Sequence, residues 1–135
     1  MNAPNSVIDA SALLAWLTFE PGALVVEKAL ENVAALSVVN WVEVLTKLAD
    51  LGQPPEDVFH ELKTRGVLGS GVILWPMDEA LALQAAKLRG TTRPLGLSLG
   101  DRVCIALGQH LRLPIFTADR SWKPLRLGVP VQMIR

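Results

Sequence analysis

Short runs of apolar residues alternate along the chain with longer segments in which apolar residues recur every three or four positions. The short runs predict five strands, over residues 7–8, 33–39, 72–75, 115–117 and 129–134. The longer segments predict a helix directly after the first strand and further helices over residues 24–30, 40–51, 54–66, 78–89 and 98–111. Strands that alternate with helices are typical of a parallel sheet covered on both faces. We therefore expect one doubly wound, three-layer α/β/α domain over residues 1–135, with a mostly parallel central sheet.

Four acidic residues adjoin the ends of predicted strands or the starts of predicted helices. Asp9 directly follows the first strand, and Glu43 lies in the first turn of the helix after the second strand. Asp101 lies in the first turn of the helix over residues 98–111, and Asp119 comes two residues after the fourth strand. Parallel sheets bind ligands at the carboxyl ends of their strands, so we expect these four side chains at one edge of the sheet.

Each acid, taken singly, also has a purely structural interpretation. Asp9 is suited to cap the helix that follows it, and Asp119 is suited to a turn. Residues 40–43 and 98–101 both have the spacing of a capping box, and Glu43 has a lysine one turn further on. Capping and metal binding are compatible, because a carboxylate at the start of a helix can also face a cleft.

Taken together, the four acids predict a cation site. Carboxylates that share a cleft repel one another, which raises their pKa values unless a cation offsets the repulsion. Mg²⁺ or Mn²⁺ is the expected cation, because both prefer carboxylate oxygens, and the absence of a His or Cys cluster argues against zinc. Divalent ions held by acids are suited to phosphodiester hydrolysis.

Four motifs carry a resemblance to a known family: VIDASAL at residues 7–13, VNWVEV at 39–44, LSLGDR at 97–102 and FTADR at 116–120. In this order and at this length, the chain resembles the PIN-domain nucleases over essentially all of its residues. The resemblance is closest to the VapC-type toxins of toxin–antitoxin modules.

The resemblance implies a PIN-like domain that acts as a Mg²⁺- or Mn²⁺-dependent endoribonuclease, usually a homodimer held inactive by a cognate antitoxin protein. It implies that Asp9, Glu43, Asp101 and Asp119 form the catalytic acidic quartet, with Asp9 and Asp101 as the primary metal ligands. Glu43 would help to hold the metal or orient the attacking water, and Asp119 would complete the pocket. The expected products carry 5′-phosphate and 3′-hydroxyl ends.

Two further groups of residues follow from the same resemblance. Ser11 and Thr117 match small hydroxyl positions beside the site. Lys87, Arg89 and Arg93 lie in a stretch that often supplies contacts to the RNA substrate.

The distribution of charge changes what the net charge suggests. The chain has 13 basic and 13 acidic residues, and a net charge of zero gives no overall attraction to nucleic acid. Residues 1–85, however, contain 11 acids and 4 bases, whereas residues 86–126 contain only two acids. Eight bases lie in that second segment: Lys87, Arg89, Arg93, Arg102, Arg112, Arg120, Lys123 and Arg126. This asymmetry predicts a phosphate-binding rim beside the acidic pocket.

The composition of the chain limits where the protein can be located and which kinds of partner it can have. Cys104 is the single cysteine, which fits a reducing cytoplasm, and no apolar run reaches the length of about 18 residues that a membrane span needs. The first residues lack the basic cluster of a signal peptide. Only 19% of residues are charged and the mean hydropathy is +0.34, so we expect part of the apolar surface to be covered by another chain.

Two other function classes fit a small α/β domain with acids at its edge. A phospho-receiver domain would have adjacent acids after its first strand and a lysine after a late strand, whereas Ala10 follows Asp9 and residues 117–119 include no lysine. A non-catalytic α/β binding module, in which the acids only cap helices, is the stronger alternative. Titration with Mn²⁺ separates that module from a nuclease.

Overall fold

A five-stranded parallel sheet forms the centre of the protein in a computed structural model that describes residues 3–135. The strands, in chain order, are β1 (Ser6–Ile8), β2 (Ala34–Ser37), β3 (Val72–Trp75), β4 (Ile115–Thr117) and β5 (Val131–Met133). Their order across the sheet is β3-β2-β1-β4-β5, and every pairing is parallel. All five strands therefore end at the same edge, which we call the carboxyl edge, and begin at the opposite amino edge.

The described residues form seven α-helices: α1 (Ala10–Leu17), α2 (Ala23–Glu31), α3 (Val38–Asp50), α4 (Pro55–Thr64), α5 (Glu79–Lys87), α6 (Arg89–Thr92) and α7 (Leu99–Leu111). Short 3₁₀ turns follow α6, at Arg93–Leu95, and β4, at Arg120–Trp122. Within residues 3–135, no helix has the length and apolar character needed to cross a bilayer.

Alternation along the strands divides the core into two halves. Ile8 and Leu36 face one side of the sheet, whereas Val7, Ala35 and Ile115 face the other. Helices α1 to α4 cover the first side, and α5 and α7 cover the second. The expected three-layer α/β/α architecture with its parallel sheet is therefore confirmed.

Helix α7 lies directly on the sheet. Residues 103–108 are all buried, as their continuous apolar sequence predicts. A side chain at Gly108 would collide with Ile115 of β4, so glycine allows the helix to approach the strand closely. This contact fixes the position of the first turn of α7, where Asp101 lies, relative to the carboxyl edge.

The start of α3 differs from the sequence prediction. Strand β2 ends at Ser37 and α3 begins at Val38, two residues earlier than expected, because the Ser37 hydroxyl caps the helix by accepting a hydrogen bond of 3.0 Å from the Asn40 amide. The predicted capping box over residues 40–43 is therefore wrong, and Glu43 lies in the second turn of α3. The ion pairs of the described residues do not include one between Glu43 and Lys47.

Candidate active site at the carboxyl edge

Asp9 is the most deeply buried acid at the carboxyl edge. It directly follows β1, where only 3% of its surface is exposed. Its Oδ1 accepts a hydrogen bond of 2.8 Å from the Ala12 amide, so the side chain caps α1 as the sequence suggests. The first strand and the first helix thus hold this carboxylate at the centre of the edge.

Two hydroxyl groups fix the orientation of the Asp9 carboxylate. Ser11 Oγ donates to Oδ1 at 2.7 Å, and Thr117 Oγ1 donates to Oδ2 at 2.5 Å. The same hydroxyl oxygens accept hydrogen bonds of 3.0 Å from the amides of Ala118 and Asp119. Ser11 and Thr117 therefore join α1 to the loop after β4, and both lie beside the site where the motif resemblance implies them.

The pKa of Asp9 is raised from 3.8 to about 6. Burial is the main cause, because it penalises the charged carboxylate, and the negative charge of Asp101 adds to it. The hydrogen bonds from Thr117, Ser11 and the Ala12 amide oppose this rise, since they stabilise the carboxylate. The charged form of Asp9 is therefore penalised mainly by its burial.

Asp101 lies in the first turn of α7, where it completes a capping box with Ser98. Its Oδ2 accepts a hydrogen bond of 2.8 Å from the Ser98 amide, and Ser98 Oγ accepts one of 3.2 Å from the Asp101 amide. This predicted capping box is confirmed.

Cys104 lies one turn after Asp101 on α7, and the charges of three acids act on its thiol. Burial raises the pKa of its thiol far above the ordinary value, and the charges of Asp9, Asp101 and Glu43 raise it further. The buried sulfur therefore lies within electrostatic reach of three acids: Asp9 at the N-terminus of α1, Glu43 in α3 and Asp101 in α7. Three members of the predicted quartet thus lie on the same side of the molecule as the first turns of α7.

Glu43 is held against α7 by Asn40, which is almost fully buried. Asn40 Nδ2 donates to Glu43 Oε1 at 2.7 Å and to the Gly100 carbonyl oxygen at 3.1 Å. Asn40 Oδ1 accepts a hydrogen bond of 2.9 Å from Ser37 Oγ. A Cβ atom at position 100 would collide with the Glu43 carboxylate, so a larger residue there would displace this carboxylate from its position.

Asn40 and Gly100 are contributors to the site that the sequence analysis did not single out. The available signal for Asn40 was its position one turn before Glu43 on the same helix face. For Gly100, the signal was a glycine inside the first turn of a helix, where its flexibility is unfavourable.

Asp119 occupies a different position from the other three acids. Its Oδ1 accepts hydrogen bonds from the amide and hydroxyl of Ser121, at 2.9 and 2.7 Å, and so caps the 3₁₀ turn after β4. Its connection to Asp9 runs through Thr117 Oγ1, which accepts from the Asp119 amide and donates to Asp9.

Side-chain orientation affects how these acids could hold a metal ion. In the described part of the chain, no three His, Cys, Asp or Glu side chains converge closely enough to form a metal site as they stand. Asp101 uses Oδ2 and Asp119 uses Oδ1 for capping, which leaves the other oxygen of each for a ligand. The donors are all carboxylate oxygens, and the ion pairs found within residues 3–135 do not include Asp9, so the residues present fit a hard divalent cation such as Mg²⁺ or Mn²⁺.

Part of the predicted basic rim lies beside these acids. The carbonyl oxygen of Ala85 accepts a hydrogen bond of 3.1 Å from Arg102 Nη1, so the end of α5, with Lys87, lies beside the first turn of α7. Arg89 and Arg93 are exposed in the segment that joins α5 to α7. Arg120 and Lys123 follow β4 at the carboxyl edge.

The remaining bases of residues 86–126 do not belong to this rim. Arg102 is half-buried and is used in the contact between α7 and α5. Arg112 ends α7 before β4 begins, and Arg126 adjoins Leu127, whose carbonyl oxygen accepts a hydrogen bond of 3.0 Å from Gln109 near the same end of α7. Both therefore lie towards the amino edge, and the eight bases do not share one face.

Comparison with known proteins identifies the family and the fold. The model of the PIN domain family matches residues 6–126. A toxin–antitoxin complex from Klebsiella pneumoniae has a similar fold, with a TM-score of 0.71 and 21% identity over 96% of this chain and 98% of that chain. No curated protein sequence matches significantly.

Two further structures show the same fold. DNA-bound VapBC from Salmonella typhimurium has a TM-score of 0.70 and 13% identity over 98% of this chain and 100% of that chain. VapBC-1 from nontypeable Haemophilus influenzae has a TM-score of 0.69 and 18% identity over 96% of this chain and 97% of that chain. Because the family model extends from β1 to the loop after β4 and includes all four acids at the carboxyl edge, the chain belongs to the PIN-domain family.

Proposed function

We propose that this protein is a Mg²⁺- or Mn²⁺-dependent endoribonuclease and the toxin of a toxin–antitoxin pair. The observation that carries the proposal is the buried Asp9 carboxylate, whose pKa is raised to about 6 while Asp101 and Glu43 lie nearby. A buried carboxylate of this kind, with a second negative charge from Asp101 acting on it, is unfavourable for folding and favourable for holding a divalent cation. The PIN-domain family and the fold shared with toxin–antitoxin complexes support the proposal.

The residues of the chain have distinct roles in the proposed reaction. A bound divalent ion would supply Lewis-acid activation of the phosphodiester and of a water molecule. Asp9 and Asp101 are the proposed primary ligands, and Asp119 completes the pocket from the loop after β4. Ser11 and Thr117 keep the Asp9 carboxylate in one orientation through their hydrogen bonds. Glu43, held by Asn40, accepts a hydrogen bond from the attacking water and orients it.

The chemistry of the products tests the reaction. Attack by water leaves 5′-phosphate and 3′-hydroxyl ends and needs no 2′-hydroxyl nucleophile, so RNA incubated with the protein and Mn²⁺ is expected to carry those ends. Ligation of an adaptor that requires a 5′-phosphate, followed by sequencing, measures this outcome. Products with 2′,3′-cyclic phosphates, or cleavage that persists in EDTA, would contradict the proposal.

The basic rim is the proposed RNA-binding surface, and Arg93 offers a test with a matched control. Arg93→Ala removes a cation beside the first turn of α7 and is expected to raise KM for RNA about threefold to tenfold, with a weaker dependence on salt. Arg112→Ala removes the same charge at the amino edge and is expected to leave KM unchanged. Equal effects of the two variants on KM would rule out a localised rim.

Asn40 is a proposed positioning residue for Glu43. Asn40→Ala removes the hydrogen bonds to Glu43 and Gly100 and is expected to lower kcat about tenfold to 100-fold while changing KM little. Asn40→Gln keeps the amide but displaces it by one methylene group, so kcat is expected to remain low. If kcat of Asn40→Ala equals that of the wild type while the protein is merely less stable to heat, Asn40 is only structural.

We propose an antitoxin protein and a second copy of this chain as partners in the cytoplasm. The similar structures are described as toxin–antitoxin and VapBC complexes, which supports the first partner. Seven large apolar side chains of the described residues are exposed, a surface that a partner could cover: Phe19, Leu24, Val42, Leu51, Phe59, Leu83 and Leu99. Mass measurement of the isolated protein and of the complex formed on co-expression tests both partners.

A non-catalytic binding module is the second candidate function, because Asp9, Asp101 and Asp119 all cap helical turns in the structure. Burial argues against this role for Asp9. Asp78 caps α5 through the same contact, with its Oδ1 accepting a hydrogen bond of 2.9 Å from the Leu81 amide, and yet it is exposed. A cap therefore does not require a buried carboxylate, so capping alone does not account for the burial of Asp9.

A further inference from the structure

A cavity of about 600 Å³ opens between α2 and the amino-edge half of the sheet. Val25 and Ala29 of α2 form one wall, and Pro114 and Phe116 form the opposite wall. Its volume is within the range of about 300–1,000 Å³ that is usual for small-molecule sites. The space between a helix and a sheet is suited to a flat, apolar molecule.

The sheet topology explains why this cavity is open. Phe116 pairs with Ile8 and Gln132 in the parallel register, so all three side chains face the side of the sheet that α1 to α4 cover. Ile8 is buried in that core, whereas Gln132 on the edge strand β5 is exposed. The helices therefore cover the centre of this side and leave the surface over β4 and β5 accessible beside α2.

A buried hydroxyl group without a partner lies in the lining of this cavity. Ser6, at the start of β1, is 4% exposed, and its Oγ forms no hydrogen bond with any residue between 3 and 135. A buried polar group without a hydrogen bond is unfavourable, so its presence needs an explanation. The neighbouring Asn5 side chain, by contrast, donates to the Asn32 carbonyl oxygen at 2.6 Å. Ser6 Oγ therefore has an unused hydrogen-bonding capacity that a ligand could satisfy.

The charge of the lining selects the class of ligand. Among residues 3–135, Lys28 is the single charged residue of the lining, and the other polar side chains are the amides of Asn5, Asn32 and Gln132 and the hydroxyl of Ser6. A ligand with a negative charge would have a cationic partner and no carboxylate to repel it.

We propose that this cavity binds a small, flat, apolar carboxylate that carries a hydrogen-bonding group at the end opposite its charge. The apolar body lies between α2 and Phe116, the carboxylate contacts Lys28, and the distal polar group pairs with Ser6 Oγ. The site is separate from the proposed active site, because Ser6 begins β1 at the amino edge whereas Asp9 follows the end of that strand. It does not depend on nuclease activity.

A matched series of compounds tests each contact by NMR titration of the full-length chain. 4-Hydroxyphenylacetate has both polar groups, phenylacetate lacks the distal hydroxyl, and tyramine replaces the carboxylate by an ammonium group. We expect saturable binding of 4-hydroxyphenylacetate, about fivefold weaker binding of phenylacetate and no binding of tyramine. Amide shifts are expected to be confined to β1, α2 and β4.

Variants of the lining residues assign the contacts. Ser6→Ala is expected to weaken binding of 4-hydroxyphenylacetate about fivefold and to leave binding of phenylacetate unchanged. Lys28→Gln is expected to weaken both carboxylates about threefold, whereas Lys47→Gln on α3 leaves them unchanged. Ala29→Phe fills the space and is expected to abolish binding.

Three outcomes would overturn the proposal. One is the absence of saturable binding to the wild-type chain, and another is binding that Ala29→Phe and Ser6→Ala do not weaken. The third is a wild-type dimer that Ala29→Phe converts to a monomer without any carboxylate binding, because this face would then be an interface between copies of the chain.

Discussion

Asp9→Asn is expected to lower the rate of RNA cleavage by at least about 100-fold, because it removes the charge of a proposed primary metal ligand. The fold is expected to persist. Asparagine is close in size to aspartate, and its amide oxygen can still accept hydrogen bonds from the Ala12 amide and Ser11 Oγ. The measurement is cleavage of a fluorescent RNA in Mn²⁺, with circular dichroism to verify the fold.

Asp78→Asn is the matched control for this variant. Asp78 caps α5 through the same contact that Asp9 makes with α1. It is exposed, however, and it is not among the acids whose charges raise the pKa of Cys104. Its substitution is expected to leave the cleavage rate within about twofold of the wild type, while the cost in stability is that of a weakened cap, about 1 kcal/mol or less. This pair of variants separates the loss of a cap from the loss of the site.

The comparison also decides between the two candidate functions. A nuclease predicts a large loss of cleavage with Asp9→Asn and a rise in Tm on addition of Mn²⁺ that this substitution abolishes. A binding module predicts no RNA cleavage by the wild type and no effect of Mn²⁺ on Tm. If Asp9→Asn and the wild type cleave RNA equally in Mn²⁺, the assignment of the site is wrong.

The fold could be predicted from the sequence because, at most positions, the secondary structure that the local pattern favours is also the one that packing of the core requires. Residues 103–108 are apolar on every side of the helix, and they are buried against β4 as that pattern requires. The boundary between β2 and α3 could not be placed, because Val38 and Val39 continue the apolar pattern of the strand. The Ser37 hydroxyl, which caps α3, determines where the strand ends.

The acids of the candidate site could be predicted from the sequence, whereas the hydrogen bonds that support them could not. Chain order and the carboxyl-edge rule predicted where Asp9 and Asp101 would lie. The hydrogen bond from Asn40 to Gly100 joins residues 60 positions apart, and no local pattern in the sequence indicates it. The distribution of charge along the sequence did not predict the position of Arg112. Helix α7 runs from the carboxyl edge of the sheet to the amino edge, and Arg112 lies at its far end.

Asp9 also makes the stability of the metal-free protein depend on pH. Its pKa is about 6 in the folded chain and near 3.8 in the unfolded chain, so between these values the folded state binds more protons. Stability therefore falls as pH rises through this window, and the full cost is present above pH 6. A rise of this size corresponds to a cost of about 3 kcal/mol. Asp9→Asn removes the titrating group, so the variant does not lose stability as the pH rises through this window.

Urea unfolding in EDTA at several values between pH 4.5 and 8 measures the effect. The free energy of unfolding of Asp9→Asn minus that of the wild type is expected to increase across this range, by about 2 kcal/mol, and to level off near neutral pH. Thr117→Val removes the strongest hydrogen bond that stabilises the carboxylate, so it should move the window to higher pH. A difference that does not change with pH would mean that Asp9 is charged in both states at every pH tested. The energetic penalty on the buried Asp9 carboxylate, which supports a cation site, would then be absent.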